Sequence, residues 1–311
     1  MNNSIIIQNE FFNKTFLENI KKLYEYKFID VKGQKKEVIV IPKNQFKETN
    51  FFYLYNFPVI EVNYKVMLNE SIVNYQWEKD FLTNINKTKQ KMMESLKESG
   101  YLIEQFDLKL QWRLIVGLGA SHPQETSMTL HHIFGIPYIP GSALKGASRH
   151  YMIWKFVDEN EEELKLRLCK SNFAELLKEL NKALEKEENL TVSVGNISFK
   201  DLIHIFGTQN RQGKIIFFDA YPIEEIKLKI DIMNPHYPDY YTKDKPPTDW
   251  QNPIPIKFLT VEDTKFRFYL AAKDKDQNLL NHARKILNDA LLNYGVGAKT
   301  SLGYGLFEES K

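Results

Sequence analysis

The sequence predicts an α+β fold with helices packed on one face of a sheet. Two observations predict it. From residue 106 onward, segments that alternate apolar and polar residues interleave with segments at helical spacing, in the order strand, helix, helical insertion, strands, helix, strand. The chain has 311 residues, 43% hydrophobic and 13% aromatic, enough for two domains or one elaborated domain with a sizeable core.

Asn9 to Phe28 carries Phe12, Phe16, Ile20, Leu23 and Tyr24 at helical spacing, and Glu37 to Ile41 reads as a short strand. Asn50 to Val62 is aromatic and strand-like. Ile72 to Leu96 reads as one or two helices with a lysine-rich polar face, ending at Gly100. Phe106 to Val116 places Leu108, Leu110, Trp112 and Leu114 on one face of a half-buried strand. The prolines of Ile136 to Pro140 hold that segment extended. A helix opens at Gly141 and runs to about Phe156, with Ser142 as its expected N-cap. Leu164 to Glu187 reads as one exposed, charged helix and Phe199 to Phe206 as a short one. Gly213 to Ala220 and Ile226 to Ile232 read as strands. Ile256 to Val261 and Lys265 to Ala272 read as a strand pair. Gln277 to Tyr294 is the last helix and Ser301 to Phe307 the last strand. This order fits a ferredoxin-like or RNA-recognition sandwich.

Composition excludes several classes. The 42 Lys and Arg against 40 Asp and Glu leave a net charge of +2, so global charge names no partner. The one cysteine, Cys169, excludes an internal disulfide framework and a cysteine-rich zinc site. No segment is long and apolar enough to span a bilayer and the N-terminus reads as no signal peptide, so the expected location is cytoplasmic. The distribution of charge is more informative. Between Leu108 and Val157 the only acid is Glu125, while Lys109, Arg113, Lys145, Arg149 and Lys155 are present. Leu202 to Phe218 and Ala290 to Phe307 hold no acid at all. Buried strands also lack acids. The sharper reading is a polyanion track where the three segments meet.

Gly295-Val-Gly-Ala-Lys-Thr-Ser-Leu-Gly-Tyr-Gly305 packs four of fourteen glycines into eleven residues. Gly295, Gly297 and Gly303 surround Lys299, Thr300 and Ser301, and free amides of this kind suit a phosphate. It is not a nucleotide P-loop: Ala298 precedes Lys299, Asn293 stands where the first glycine belongs, and the loop follows a helix instead of opening one. A tight helix-to-strand turn with a glycine cap is the plain alternative.

Gly141-Ser-Ala-Leu-Lys-Gly146, followed by Arg149, starts a helix whose free N–H groups and dipole favour an anion, with Lys145 and Arg149 four residues apart. Ser142 and Gly146 belong to the same stretch. A capped helix start with solvated bases is an equal reading. Arg211 and Lys214 flank a polar turn and are further phosphate candidates, although an ordinary solvated turn explains that loop as well. His236, Tyr237, Tyr240, Tyr241 and Trp250 lie among prolines in a segment near 233–255 suited to base stacking or, equally, to a subunit contact. No metal-ligand spacing appears among the histidines or aspartates, and no cofactor motif is present. His122 or His236 as a general base would serve metal-independent RNA cleavage.

Together, Ile139-Pro-Gly-Ser-Ala-Leu-Lys-Gly146 with Arg149, Phe206-Gly207, Gly213 to Pro222, Asp231-Ile-Met-Asn-Pro-His-Tyr237, Pro253 to Val261 and the glycine loop resemble the RAMP superfamily of CRISPR proteins. The Met-Asn-Pro-His-Tyr segment brings the likeness nearest to the sixth-subunit family of type III-B (Cmr) effector complexes. The likeness covers about residues 106 to 308. It implies an RRM/ferredoxin-like RAMP core over 105–311, with a helical insertion near 158–198, beside a mostly helical region at 1–104. It implies a non-catalytic subunit that binds the 3′ part of the guide RNA (crRNA) in an antiviral ribonucleoprotein. Its partners would be a backbone RAMP subunit, a small helical subunit, the other terminal RAMP subunit and, as a further candidate, target RNA. Many relatives carry a second Ser where Ala143 stands, which removes one hydroxyl contact. The alternative is a metal-independent RAMP endoribonuclease that processes guide precursors.

Overall fold

A computed structural model describes residues 25–31, 34–40, 51–56, 60–62, 65–67, 70–120, 122, 126–234, 246, 255–273 and 276–309. The chain forms two compact units. The first draws on residues up to Glu78, Ile115–Pro137 and Glu225–Glu262; the second on Lys79–Leu114, Tyr138–Glu224 and the chain from Asp263 on. The units interleave along the chain, changing over at 78/79, 114/115, 137/138, 224/225 and 262/263.

Among the described residues, in chain order, the hairpin β1 (Glu25–Val31) and β2 (Gln34–Val40) comes first, strand being found at Glu25 to Phe28 where helical spacing was read. Next come α1 (Phe51–Asn56) and the hairpin β3 (Ile60–Val62) and β4 (Lys65–Met67). Within the segment read as a strand, Phe51–Asn56 is thus helical and Ile60–Val62 extended. Burial of Phe51 and Tyr55 on one side, four residues apart, decides it. A 3-10 turn at Glu70–Asn74 precedes α2 (Lys79–Glu98). Then follow β5 (Leu102–Leu110), β6 (Arg113–Leu114) and α3 (Gly141–Glu159).

The helix expected over 164–187 is two helices, α4 (Glu161–Leu168) and α5 (Phe173–Glu185). Cys169 breaks it with a left-handed φ of 53°, and the Asn172 side chain caps α5 by accepting from the Ala174 N–H at 2.9 Å. A small hairpin, β7 (Ser193–Val194) and β8 (Ile197–Ser198), leads into α6 (Phe199–Phe206). Ser198 and Asp201 form a reciprocal capping box there. The remaining elements are β9 (Ile215–Phe217), β10 (Tyr221–Pro222), β11 (Lys227–Met233), β12 (Ile256–Glu262), β13 (Lys265–Ala272), α7 (Gln277–Asn293) and β14 (Phe307–Glu309). The last strand is shorter than expected, because Thr300–Leu302 close a 3-10 turn instead.

In the first unit, β11 and β12 pair antiparallel in register from Lys227↔Glu262 to Met233↔Ile256. Its core is aromatic: the Phe51 ring lies 5.0 Å from Tyr75 and 4.9 Å from Trp77, and Tyr55 stacks on His122 at 4.6 Å. Each polar handle finds a backbone acceptor, Tyr55 OH on the Thr126 carbonyl at 2.8 Å and Trp77 Nε1 on Gly135 at 3.2 Å.

In the second unit, β5 lies between β13 and β14, and β9 and β10 both pair with β13, all antiparallel. β12 and β13 therefore do not pair with each other; the expected hairpin is replaced by a turn at Asp263, φ 45°. Alternation along β5 buries Phe106, Leu108 and Leu110. Phe106 stacks on Phe268 at 5.3 Å, and Phe307 meets Phe268 edge-on at 5.4 Å. On the opposite face of the sheet, the Arg267 guanidinium donates to both Asp107 oxygens at 2.8 and 2.7 Å. α7 buries Leu279, Leu280, Ala283, Ile286, Leu287, Ala290 and Leu291, a full helical stripe, and packs on β5, β13 and α3. The fold is α+β, with an antiparallel sheet and helices laid against it.

Candidate nucleic-acid interface

α3 begins where β9 ends its contact with the helix. A side chain at Gly141 would place Cβ 2.2 Å from the Phe217 carbonyl oxygen, so only glycine lets the helix start come this close. The N-cap position is Pro140, with no side-chain cap. Ser142 is therefore not the cap but an exposed residue inside the first turn. The Gly141 N–H instead donates to Asp219 Oδ1 at 2.8 Å. A carboxylate of the protein already meets the positive end of this helix dipole and satisfies one of its orphan donors. Gly146, one turn on, is exposed and faces open space.

The cations separate into two sets. Arg149 donates to Glu185 Oε1 at 2.6 Å, and Glu185 Oε2 accepts the Gln209 N–H at 2.9 Å. Arg211 pairs with Glu187 at 2.6 Å, and Thr208 Oγ1 donates to the same carboxylate at 3.1 Å. Both arginines thus tie the end of α5 and the residues after it to α3 and the 207–213 turn. Arg211 also lines an open cleft of about 280 Å³ with Lys200, His204, Glu187 and Glu188. Burial, then Lys214, Lys200 and Arg211, push the His204 imidazole below its ordinary pKa. Lys145 differs: among the described residues it has no ion-pair partner.

The glycine loop is a closed structure. The Tyr294 and Gly295 N–H groups both donate to the Ala290 carbonyl, at 2.9 and 2.8 Å, with Gly295 left-handed at φ 80°. Val296 N–H then donates to Gly305 C=O at 3.0 Å, and Gly305 N–H to Arg113 C=O at 2.6 Å. The two stems pinch together. A Cβ on Gly305 would lie 1.9 Å from the Val296 oxygen, at a φ of 70°. Between the stems, Lys299 is left-handed at φ 61° and opens the 3-10 turn, which Gly303 ends at φ 93°. A left-handed lysine is an uncommon, mildly strained conformation. Gly297 and Ser301 are exposed, and Thr300 is half-buried.

α3 and α7 run antiparallel. The His150 and Tyr294 rings lie 5.3 Å apart, and Tyr151 feels the Asp289 charge. The loop therefore leaves α7 beside His150, toward the end of α3 that carries Lys145 and Gly146. Arg211, by contrast, lines the cleft beside Lys200 and His204 of α6.

Two exposed aromatics were not singled out by the sequence reading. Trp112 was placed on the buried face of an alternating strand, yet it is 42% exposed at the bend between β5 and β6. Its ring lies 4.8 Å from Tyr304 of the glycine loop. Tyr294, read only as the end of the last helix, is 38% exposed. The tertiary pairing of stem and sheet makes both stand at the loop, a signal that strand alternation cannot carry. His236, Tyr237, Tyr240, Tyr241 and Trp250 lie outside the described residues. His122 stacks on the buried Tyr55, and burial pulls its pKa from 6.5 to about 4. The half-buried imidazole is neutral near pH 7, and a pKa that low makes it a weak general base. Among the described residues no three His, Cys, Asp or Glu side chains gather to hold a metal ion, and no helix is long and apolar enough to cross a membrane.

The family model of the RAMP superfamily matches residues 107–308, which hold α3, the Asp219 contact and the glycine loop. The chain belongs to the RAMP superfamily. Among curated proteins it is similar to the CRISPR system Cmr subunit Cmr6 of Pyrococcus furiosus, 41% identical over 227 residues, 65% of this chain and 66% of that one. It is also similar to the CRISPR system CMR subunit Cmr6 of Saccharolobus solfataricus, 27% identical over 229 residues, 71% of this chain and 62% of the relative. The matches span just under two thirds of these relatives' lengths. Among solved structures, the crystal structure of Cmr6 from Pyrococcus furiosus matches 68% of this chain and 98% of its own, at 35% identity and a TM-score of 0.46. The cryo-EM structure of the type III-B Cmr-beta bound to cognate target RNA matches 76% of this chain and 68% of its own, at 23% identity and a TM-score of 0.51, a likeness of fold.

Proposed function

We propose that this protein is a non-catalytic guide-RNA-binding and assembly subunit of a type III-B CRISPR effector complex, holding the 3′ part of the guide in a cytoplasmic antiviral ribonucleoprotein. The observation that carries the reading is the 41% identity over 227 residues to a Cmr6 subunit; the RAMP family match spans residues 107–308 and so takes in the glycine loop. The geometry supports it. The pinched loop presents exposed Gly297 and Ser301 with Lys299, it leaves α7 beside His150 of α3, and Lys145 of that helix has no ion-pair partner among the described residues. Backbone contact of this kind holds a ribose-phosphate chain without reading its sequence. The proposed partners are a backbone RAMP subunit, a small helical subunit, the other terminal RAMP subunit and target RNA.

The contact set is Ser142, Lys145, Gly146, Gly297, Lys299, Thr300, Ser301 and Gly303, with Lys214; Gly141 and Gly295, buried with their N–H groups given to Asp219 and Ala290, shape the site without touching the strand. Arg149 and Arg211 would contribute only by exchanging their carboxylate partners for phosphates. The test is binding of single-stranded RNA by the full chain and by the assembled complex. Lys145→Ala and Lys299→Ala are each expected to weaken binding equally across unrelated sequences. Parent-like affinity and assembly in both variants would refute this contact set.

A further inference from the structure

The glycine loop is bracketed by exposed aromatics, and nothing in a phosphate cradle requires them. Tyr294 precedes the first stem residue and is 38% exposed. Trp112 packs 4.8 Å from Tyr304, which precedes the last stem residue, and is 42% exposed. The Val296–Gly305 hydrogen bond of 3.0 Å holds the two stems together, so both aromatics stand at the base of one loop. Trp112 is also fixed through its backbone. Its neighbour Gln111 donates to Leu306 at 3.0 Å, and its other neighbour Arg113 accepts from Gly305 at 2.6 Å. Tyr304 beside it is only 5% exposed, and the Arg113 guanidinium lies over the indole, 5.2 Å from its centroid. An aromatic surface with part of its area in water is thus anchored through the backbone on both sides and carries a cation over its ring.

We infer that Trp112 and Tyr294 are base-stacking platforms of the glycine loop: the loop holds ribose-phosphate, and the aromatics at its stem hold unpaired bases of the same RNA strand. A ring with one buried neighbour and one cation provides a stack that tolerates any base, which suits a guide of variable sequence. This rests on the RNA-binding reading above and adds a second kind of contact to it.

The experiment compares two probes on the full chain: a fluorescein-labelled 12-nucleotide oligouridine, and an abasic ribose-phosphate oligomer of the same length. Trp112→Leu is expected to weaken oligouridine binding by about 5- to 100-fold and to leave the abasic oligomer unchanged. Trp112→Phe, which keeps a ring, is expected to retain most of the affinity, so a general folding defect is distinguishable. Tyr294→Leu is expected to act in the same direction. Unchanged oligouridine affinity in Trp112→Leu, or an equal loss on both probes, overturns the stacking role and leaves the RNA-binding reading standing. A parent chain that binds neither probe overturns both.

Discussion

At the scale of single residues, Gly305 and Gly146 make a useful contrast. Gly305 is left-handed, and an added Cβ would lie 1.9 Å from the Val296 oxygen. Gly305→Ala must therefore open the pinched stem, and we expect a loss of about 3–5 kcal/mol in urea unfolding. Gly146 is helical and open, so Gly146→Ala is expected to raise stability by about 0.5–1 kcal/mol. If RNA passes over that turn, the same change lowers RNA affinity while raising the midpoint. His122 supplies a pH-dependent residue. Its pKa in the folded protein is about 4, below the ordinary 6.5, because burial disfavours the charged form. Above about pH 6.5 neither state is protonated and the stability is fully present. Between pH 6.5 and 4 the unfolded chain takes up the proton first, so stability falls, on the order of 2–3 kcal/mol by pH 4. His122→Phe should flatten that part of the urea-midpoint curve; an unchanged slope would show that another group controls it. The sequence displayed each of these residues, but only their neighbours distinguish a strained glycine from an open one or a packed histidine from a catalytic one.

At the scale of elements, the insertion is fastened by carboxylates. Glu185 takes Arg149 with one oxygen and the Gln209 N–H with the other. Removing it by Glu185→Ala leaves an N–H and a guanidinium without that partner. We expect about 1–2 kcal/mol of destabilisation in chemical unfolding, the half-exposed ion pair alone contributing about 1 kcal/mol or less. Much of the element map was legible. Apolar stripes predicted α3, α6 and α7 to within a few residues, because burial on one face imposes a period that propensity alone does not. The misreadings share one cause. The break at Cys169 lies within a charged run that favours helix throughout, and the turn at Asp263 separates two runs that each look like hairpin partners. Whether adjacent strands pair is a choice of partner, and local pattern does not encode partners.

Over the whole molecule, a net charge of +2 gives no long-range attraction to a polyanion. Any RNA affinity must come from a few local contacts. The log of the binding constant should then fall with log salt at a shallow slope, about −1 to −3 for two to four neutralised phosphates. Lys145→Ala and Lys299→Ala should each lower the magnitude of that slope by about 0.7. A steep parent slope would place the contacts elsewhere on the chain.

The residue order alone determined the superfamily, the α+β class and the two candidate anion motifs, since glycine spacing and hydrophobic period are local and survive in one dimension. Only the tertiary structure decided which groups meet. It gave the start of α3 to Asp219 and both arginines to glutamates, and it brought Trp112 to a loop almost two hundred positions away in sequence. Those outcomes depend on burial and on competition between partners across the fold, and neither exists until the chain has closed on itself.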